Sequence, residues 1–259
     1  MKLGRFFLFL YTVSLLHSPL TIAEEEGMEA PPPLFSPTTK DRFSGKVITD
    51  KTSAYSMMEE RLFNAPKTGE KSPDFELRSA EEEKRVKLSD LYAEKPVVLI
   101  LSSWSCDIFR ESLWGLNDLY DSYNDRAEFV MIYMREAHPL DGFAAHLGRT
   151  RDPKTIEERI LTAKKCRKQL RLPFRILVDD IDDPVMTRWA GWPVRIYVVE
   201  SDGTVSYAGP QGPWGYRPYE GFVHGNGELH GWDLEYSNES LEKFLQTRFP
   251  GGGDHQVQK

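Results

Sequence analysis

Apolar and polar positions change their period at one junction in this chain. Val97 to Leu101 is an unbroken apolar run with two valines and an isoleucine, the pattern of a strand buried on both faces of a sheet. Ser102 to Ser105 is short and polar and predicts a turn. From Asp107 the apolar residues Phe109, Leu113, Leu116, Tyr120 and Tyr123 recur at steps of 4, 3, 4 and 3, which is helical spacing. Cys106 therefore falls where a central strand ends and a helix begins. Backbone N–H groups and the positive end of the helix dipole favour a thiolate there. The opposing reading is a small buried core residue, and Asp107 next door opposes a thiolate.

The rest of the chain alternates in the same way. Phe75 to Leu77 and Val86 to Leu88 predict a hairpin, with Glu81, Glu82 and Glu83 at its solvated tip. Glu128 to Met134 predicts a second buried strand, Thr155 to Leu170 a helix, and Phe174 to Val178 a third strand. The carboxylates of Asp179, Asp180, Asp182 and Asp183 follow that strand. No glycine-punctuated ligand loop accompanies them, so they are read as caps of the next short helix, Pro184 to Ala190, rather than as a calcium site. Val194 to Val199 predicts a fourth strand, and Asp202-Gly203 turns it into a partner strand at Thr204 to Ala208. Gly209 to Trp232 reads as a loop or lid, and Ser240 to Phe249 as a closing helix. Strands alternating with helices predict an α/β fold: a mainly parallel central sheet with helices on both faces and an antiparallel edge hairpin.

Composition narrows the function classes. A chain of 259 residues with 40% hydrophobic content suits one domain plus extensions. A net charge of −7 argues against nucleic acid and anionic membranes as partners. The start is a predicted leader: Lys2 and Arg5, an apolar stretch from Phe6 to Leu16, and small residues at Thr21 to Ala23. Cleavage after residue 23 and export to a secreted or periplasmic location is the expectation, with an uncleaved membrane anchor as the alternative. Residues 24–66 are an extension, beginning as an acidic, proline-rich linker predicted to be disordered and including a short predicted helix over Ser53 to Phe63. Residues 67–250 hold the domain and 251–259 a disordered tail. Two cysteines, Cys106 and Cys166, are too few for a disulfide scaffold.

A buried strand, a cysteine at a helix start, and Trp192-Pro193 directly before a strand and hairpin together resemble a thioredoxin-like fold, with a central mixed sheet, helices on both faces and here an N-terminal extension. That resemblance implies a cis proline, Pro193, facing the active thiol. Three stretches resemble the iodothyronine deiodinases more narrowly. Ser105-Cys106 with Phe109 is similar to the family's Thr-selenocysteine-Pro-Pro-Phe segment, with Cys106 in place of selenocysteine and Asp107 in place of the following proline. Tyr133-Met134-Arg135-Glu136-Ala137-His138-Pro139-Leu140-Asp141-Gly142-Phe143 resembles the family's EAHPxDGW segment. Arg195 to Val199, then Gly212-Pro213-Trp214-Gly215-Tyr216, resemble RLYVI and GPxGY.

The resemblance implies reductive removal of iodine from an aromatic, with Cys106 attacking the halogen. Ser105, Glu136 and His138 would serve the proton network, and His138 with Arg195 would hold the substrate. No cofactor and no metal is expected; the reductant would be an external thiol or a thioredoxin-like protein, and a homodimer is an open possibility. The pattern departs from the family at Trp104 and Arg175, where cysteines stand in some members, and near Pro153, where a second histidine would fall.

A peroxiredoxin-like peroxidase is the competing reading. Ser103 stands three residues before Cys106, as in that family; Leu99 stands where it has a proline; Arg195 would help bind the peroxide. Cys166, on the helix before the third strand, would be the resolving thiol. A non-catalytic redoxin-fold binding module is the reading from a different class.

Overall fold

The computed structural model describes residues 64–142, 144–212, 215–222 and 239–251. The expected leader, linker, helix over 53–63 and tail from 252 lie outside these residues, as do Phe143, Pro213, Trp214 and most of the 209–232 loop.

Seven strands form one sheet: β1 (Glu76–Ser79), β2 (Arg85–Lys87), β3 (Val97–Ser102), β4 (Glu128–Tyr133), β5 (Arg175–Val178), β6 (Arg195–Val199) and β7 (Val205–Ala208). Their spatial order is β2-β1-β5-β4-β3-β6-β7. Between and after them run α1 (Leu88–Glu94), α2 (Asp107–Tyr123), α3 (Ile156–Leu170), α4 (Pro184–Arg188) and α5 (Leu241–Arg248), with one turn of 3-10 helix at Ala145–Leu147.

β3 is buried along its whole length because it has a parallel neighbour in β4 and an antiparallel one in β6. Alternate residues feed two apolar layers. Val98 and Ile100 face a layer shared with Phe129 of β4 and with Cys106, Phe109, Leu116, Cys166 and Leu241 from α2, its cap, α3 and α5. Val97, Leu99 and Leu101 face a second layer with Leu88, Met186 and Trp189. Burying such side chains contributes about 1.5–3 kcal/mol each, so the central strand is the most strongly fixed platform available for whatever follows it. Helices cover both faces, as the pattern predicts.

The β4-β3-β6-β7 order, with a helix leaving β3 and β6 antiparallel to it, is thioredoxin-like; the Trp192-Pro193 bond that precedes β6 is cis. The sheet is mixed, as expected of the thioredoxin-like fold, whereas the alternation of strands and helices alone predicts a mainly parallel one. Only β3–β4 and β4–β5 are parallel. The β1–β2 hairpin docks antiparallel on β5, and the chain crosses from β5 past β4 and β3 to bring in β6 reversed. α1 was not read from the pattern; its seven residues begin directly at the end of β2 and bury only Leu88.

Helix ends follow their sequence signals. Thr155 and Glu158 form a reciprocal capping box on α3, with Glu157 in its first turn and Arg167 and Lys168 in its last. The expected cap of α4 is made by Asp179, whose carboxylate accepts from the N–H groups of Val185 (3.3 Å) and Met186 (2.8 Å). Asp183 occupies the cap position in left-handed backbone but caps nothing with its side chain. Its carboxylate instead meets Arg159 Nη1 at 2.7 Å and Arg135 Nε at 2.5 Å.

Burial pushes the Asp179 carboxyl up to about 7, opposed by its two N–H donors and by Arg159, with Asp183 adding to the rise. A carboxyl raised in the folded state stabilises fully below its unfolded value near 4 and loses that contribution as pH climbs through about 7. The stability deficit of Asp179→Ala, measured by urea denaturation, is therefore expected to shrink between pH 4 and pH 7. A deficit constant across that range would contradict it.

Candidate active site

Cys106 occupies the cap position of α2 and is 0% exposed. Burial pushes its thiol up to about 12; a hydrogen bond from the Phe109 backbone, one with the Ser102 hydroxyl, and the Arg110 charge pull down, while Asp107 adds to the rise. The sequence-based expectation of a thiolate favoured by the helix start does not hold for a thiol buried this deeply. A helix terminus is worth about 0.3–1 kcal/mol, up to ~2 in favourable geometry, which is less than the cost of an ion removed from water. Ser102 also donates to the Pro193 carbonyl at 3.3 Å, so one hydroxyl links the thiol to the cis proline.

The segment after β4 is tied to the turn that presents Cys106. Four consecutive backbone N–H groups donate to side-chain oxygens: Arg135 to Asp183 Oδ1 at 3.2 Å, Glu136 to Asp152 Oδ1 at 3.1 Å, Ala137 to Ser103 Oγ at 3.0 Å and His138 to Ser105 Oγ at 2.9 Å. The buried Glu136 carboxylate answers in the other direction. Its Oε2 accepts from the Ser105 N–H at 2.8 Å and its Oε1 from the Tyr133 hydroxyl. Tyr133 in turn accepts from the Trp104 N–H at 3.3 Å. Burial raises the Glu136 carboxyl, and Asp152 adds to the rise; the bonds from Ser105 and Tyr133 work against it. Ser103, Ser105, Glu136 and His138 thus belong to one network beside Cys106.

The His138 imidazole lies on the other side of the turn, with Nε2 3.4 Å from Asp107 Oδ1. Arg110, one turn into α2, donates to the Trp104 carbonyl at 2.9 Å and to the Leu147 carbonyl at 3.4 Å, bracing the turn against the 3-10 segment. Asp107, Arg110, Tyr133, Asp152 and Asp183 are additions that sequence reasoning missed. In the sequence Asp107 is read only as opposing a thiolate and as a departure from the deiodinase pattern, and Asp183 only as one of the aspartates that cap the next helix; no local spacing announces their contacts here.

Arg195 is not brought to Cys106. It shares a face with Tyr197, two residues on in β6, and packs 4.7 Å over that ring in the layer opposite the thiol. Its Nε donates to the Gly209 carbonyl at 2.8 Å, and it is 1% exposed. A guanidinium held this way offers no face to a substrate in this conformation. Cys166 is a free, buried thiol on α3 in the same apolar layer as Cys106; burial and then the Glu136 charge push it well above its ordinary value.

The described residues near the C-terminus close the site. Tyr216 joins the apolar layer of Cys106, and its hydroxyl lies 3.2 Å from Ser112 Oγ on α2. The Tyr219 ring rests on Gly115, where a Cβ would come within 2.1 Å of it, so glycine is required for that approach. Phe222 meets both tyrosines edge-on.

The network makes a stability prediction. Glu136→Gln replaces one acceptor oxygen with a donor, leaving either Ser105 or Tyr133 facing an N–H. An unsatisfied buried group costs about 1–3 kcal/mol. A double-mutant cycle with Tyr133→Phe, read by chemical denaturation, is expected to show coupling of at least ~0.5 kcal/mol; additive losses would contradict the network.

Several known proteins are similar to this chain. Thyroxine 5-deiodinase of Sparus aurata is 28% identical over 173 residues, 66% of this chain and 61% of that protein. Type I iodothyronine deiodinase of Xenopus laevis is 29% identical over 134 residues, 50% of this chain and 51% of that protein. The chain thus spans about half to three-fifths of these two relatives' length. Among solved structures, the thioredoxin domain of a thiol-disulfide oxidoreductase from Bacteroides vulgatus superposes with a TM-score of 0.42 at 17% identity, covering 56% of this chain and 89% of that one. A peroxidoxin from Mycobacterium tuberculosis gives 0.40 at 20% identity, covering 54% and 82%. The iodothyronine deiodinase family model matches residues 37–223, from before β1 through the Tyr216 segment, and the chain belongs to that family.

Proposed function

We propose that this chain is a thiol oxidoreductase that reductively removes halogen, iodine first among them, from an aromatic small molecule. The observation that carries the reading is the convergence of Cys106, His138 and the Glu136 network at the end of the central strand. A soft sulfur nucleophile suits polarisable iodine, and an imidazole can supply a proton near neutral pH.

The chemistry balances as follows. The Cys106 thiolate bonds to iodine, the carbon–iodine bond breaks, and its electron pair passes to the ring carbon. That carbon takes a proton from the His138 imidazole. An external thiol then attacks the sulfenyl iodide, releasing iodide and forming a mixed disulfide. A second thiol frees Cys106 and leaves as the oxidised disulfide. Glu136, hydrogen-bonded to the Ser105 N–H while Ser105 Oγ accepts from the His138 N–H, holds in place the segment that carries the donor.

The buried, protonated Cys106 is the resting state in this reading. Substrate entry displaces the Tyr216 cover, and the thiol ionises as its burial is relieved. The position of Arg195 gives it no part in holding either an aromatic halide or a peroxide in this conformation, because its guanidinium is fixed in the layer opposite the thiol. The basic, then apolar, then small-residue pattern of residues 1–23 supports export. Among the described residues no helix is long and apolar enough to cross a membrane.

The test is iodide release from an iodophenol with dithiothreitol as reductant. Wild type is expected to release iodide in proportion to thiol consumed, and Cys106→Ser to fall to the uncatalysed rate. Iodide release retained in Cys106→Ser, or peroxide consumption with no iodide release in wild type, would overturn the reading.

A further inference from the structure

Asp107 stands beside Cys106 and has no role in the proposed chemistry. It stands where the deiodinase pattern has a proline, and the structure gives it a neighbour. Its Oδ1 lies 3.4 Å from His138 Nε2, with the two side chains 17% and 14% exposed. The same Oδ1 accepts from the Ile108 N–H at 3.0 Å, which fixes the carboxylate at the start of α2. On the other side, Ser105 Oγ holds the His138 backbone N–H at 2.9 Å. The ring is thus constrained through its main chain and through its nitrogen, by residues on either side of Cys106.

We propose that Asp107 is a positioning residue for His138, fixing the rotation of the imidazole at the mouth of the site so that it delivers its proton to the ring carbon as the carbon–iodine bond breaks. The inference rests on the reading of His138 as proton donor. A carboxylate on one ring nitrogen sets ring orientation and tautomer, and a misplaced donor costs rate at the proton-transfer step.

The position carries a built-in conflict. Asp107 adjoins Cys106, and its charge opposes ionisation of the thiol, while Arg110 on the same helix favours it. Tyr216 of the C-terminal cover also faces the thiol, and Glu136 and Tyr133 on the β4 side belong to the network that holds the His138 main chain. One carboxylate therefore hinders thiolate formation and assists proton delivery. A residue that merely supported the fold would move both in the same direction.

Asp107→Asn separates them. In the full chain, alkylation of Cys106 by iodoacetamide, read at that residue by mass spectrometry, is expected to speed up severalfold at pH 8, with its inflection moved to lower pH. Iodide release from an iodophenol is expected to lose about tenfold in kcat with KM little changed. Asp107→Glu should recover part of the loss. Alkylation and turnover both slowing, or kcat unchanged, would overturn the inference. Should wild type release no iodide, the dehalogenation reading fails on its own, and the pH titration of the His138 ring by NMR decides the remainder. A titration displaced in Asp107→Asn keeps the contact; an unmoved one removes it.

Discussion

Four consecutive backbone N–H groups, from Arg135 to His138, donate to side-chain oxygens drawn from three other segments. The constraint follows from where β4 stops. Its ladder runs to Tyr133, and the Met134 N–H still reaches the Ser102 carbonyl at 3.2 Å. Beyond that point the chain stays largely buried with no strand beside it, and a buried N–H left without an acceptor costs about 1–3 kcal/mol. Ser103 and Ser105 take two of these donors from the Cys106 turn, Asp152 takes one from the loop before α3, and Asp183 takes one from the loop before α4. Glu136 returns the bond to Ser105. The turn that presents Cys106 and the segment that carries His138 are therefore each part of the other's hydrogen-bond satisfaction.

Asp183 extends that coupling outward. Between Arg135 and Arg159 it neutralises a buried charge and ties the active-site segment to α3, the helix that carries Cys166. Removing one member of such a buried set leaves an uncompensated charge, a cost of about 3–5 kcal/mol. The site is thus rigid on its β4 side and covered on its α2 side by Tyr216 and Tyr219. Cys106 is buried beneath that cover, and burial outweighs what the helix start offers a thiolate.

Much of this was legible in the chain itself. The switch from an apolar run to helical spacing located Cys106, because a buried strand and an amphipathic helix have distinct periods. Glu136 and His138 were identified by likeness to a known segment, and their clustering follows from β4 lying parallel to β3. The residues that hold them were not legible. Asp183 lies 48 residues from Arg135, Asp152 16 from Glu136, and Asp107 31 from His138, and no short-range pattern encodes contacts of that span. Arg195 misled for a related reason: its position at the start of β6 was right, but strand alternation turns its side chain to the other layer. Asp179 and Asp183 read alike as caps in sequence. One caps α4 and the other pairs with arginines, a difference set by the left-handed backbone at Asp183.

Amide hydrogen exchange resolved by NMR tests the central constraint most directly. If the side-chain acceptors hold the chain from Arg135 to His138 as described, those four amides exchange as slowly as the amides of β3 and β4, although they lie in no regular element. Exchange at the rate of open surface loops, with β3 and β4 protected, would show that the segment is not held, and the account of the site would fall with it.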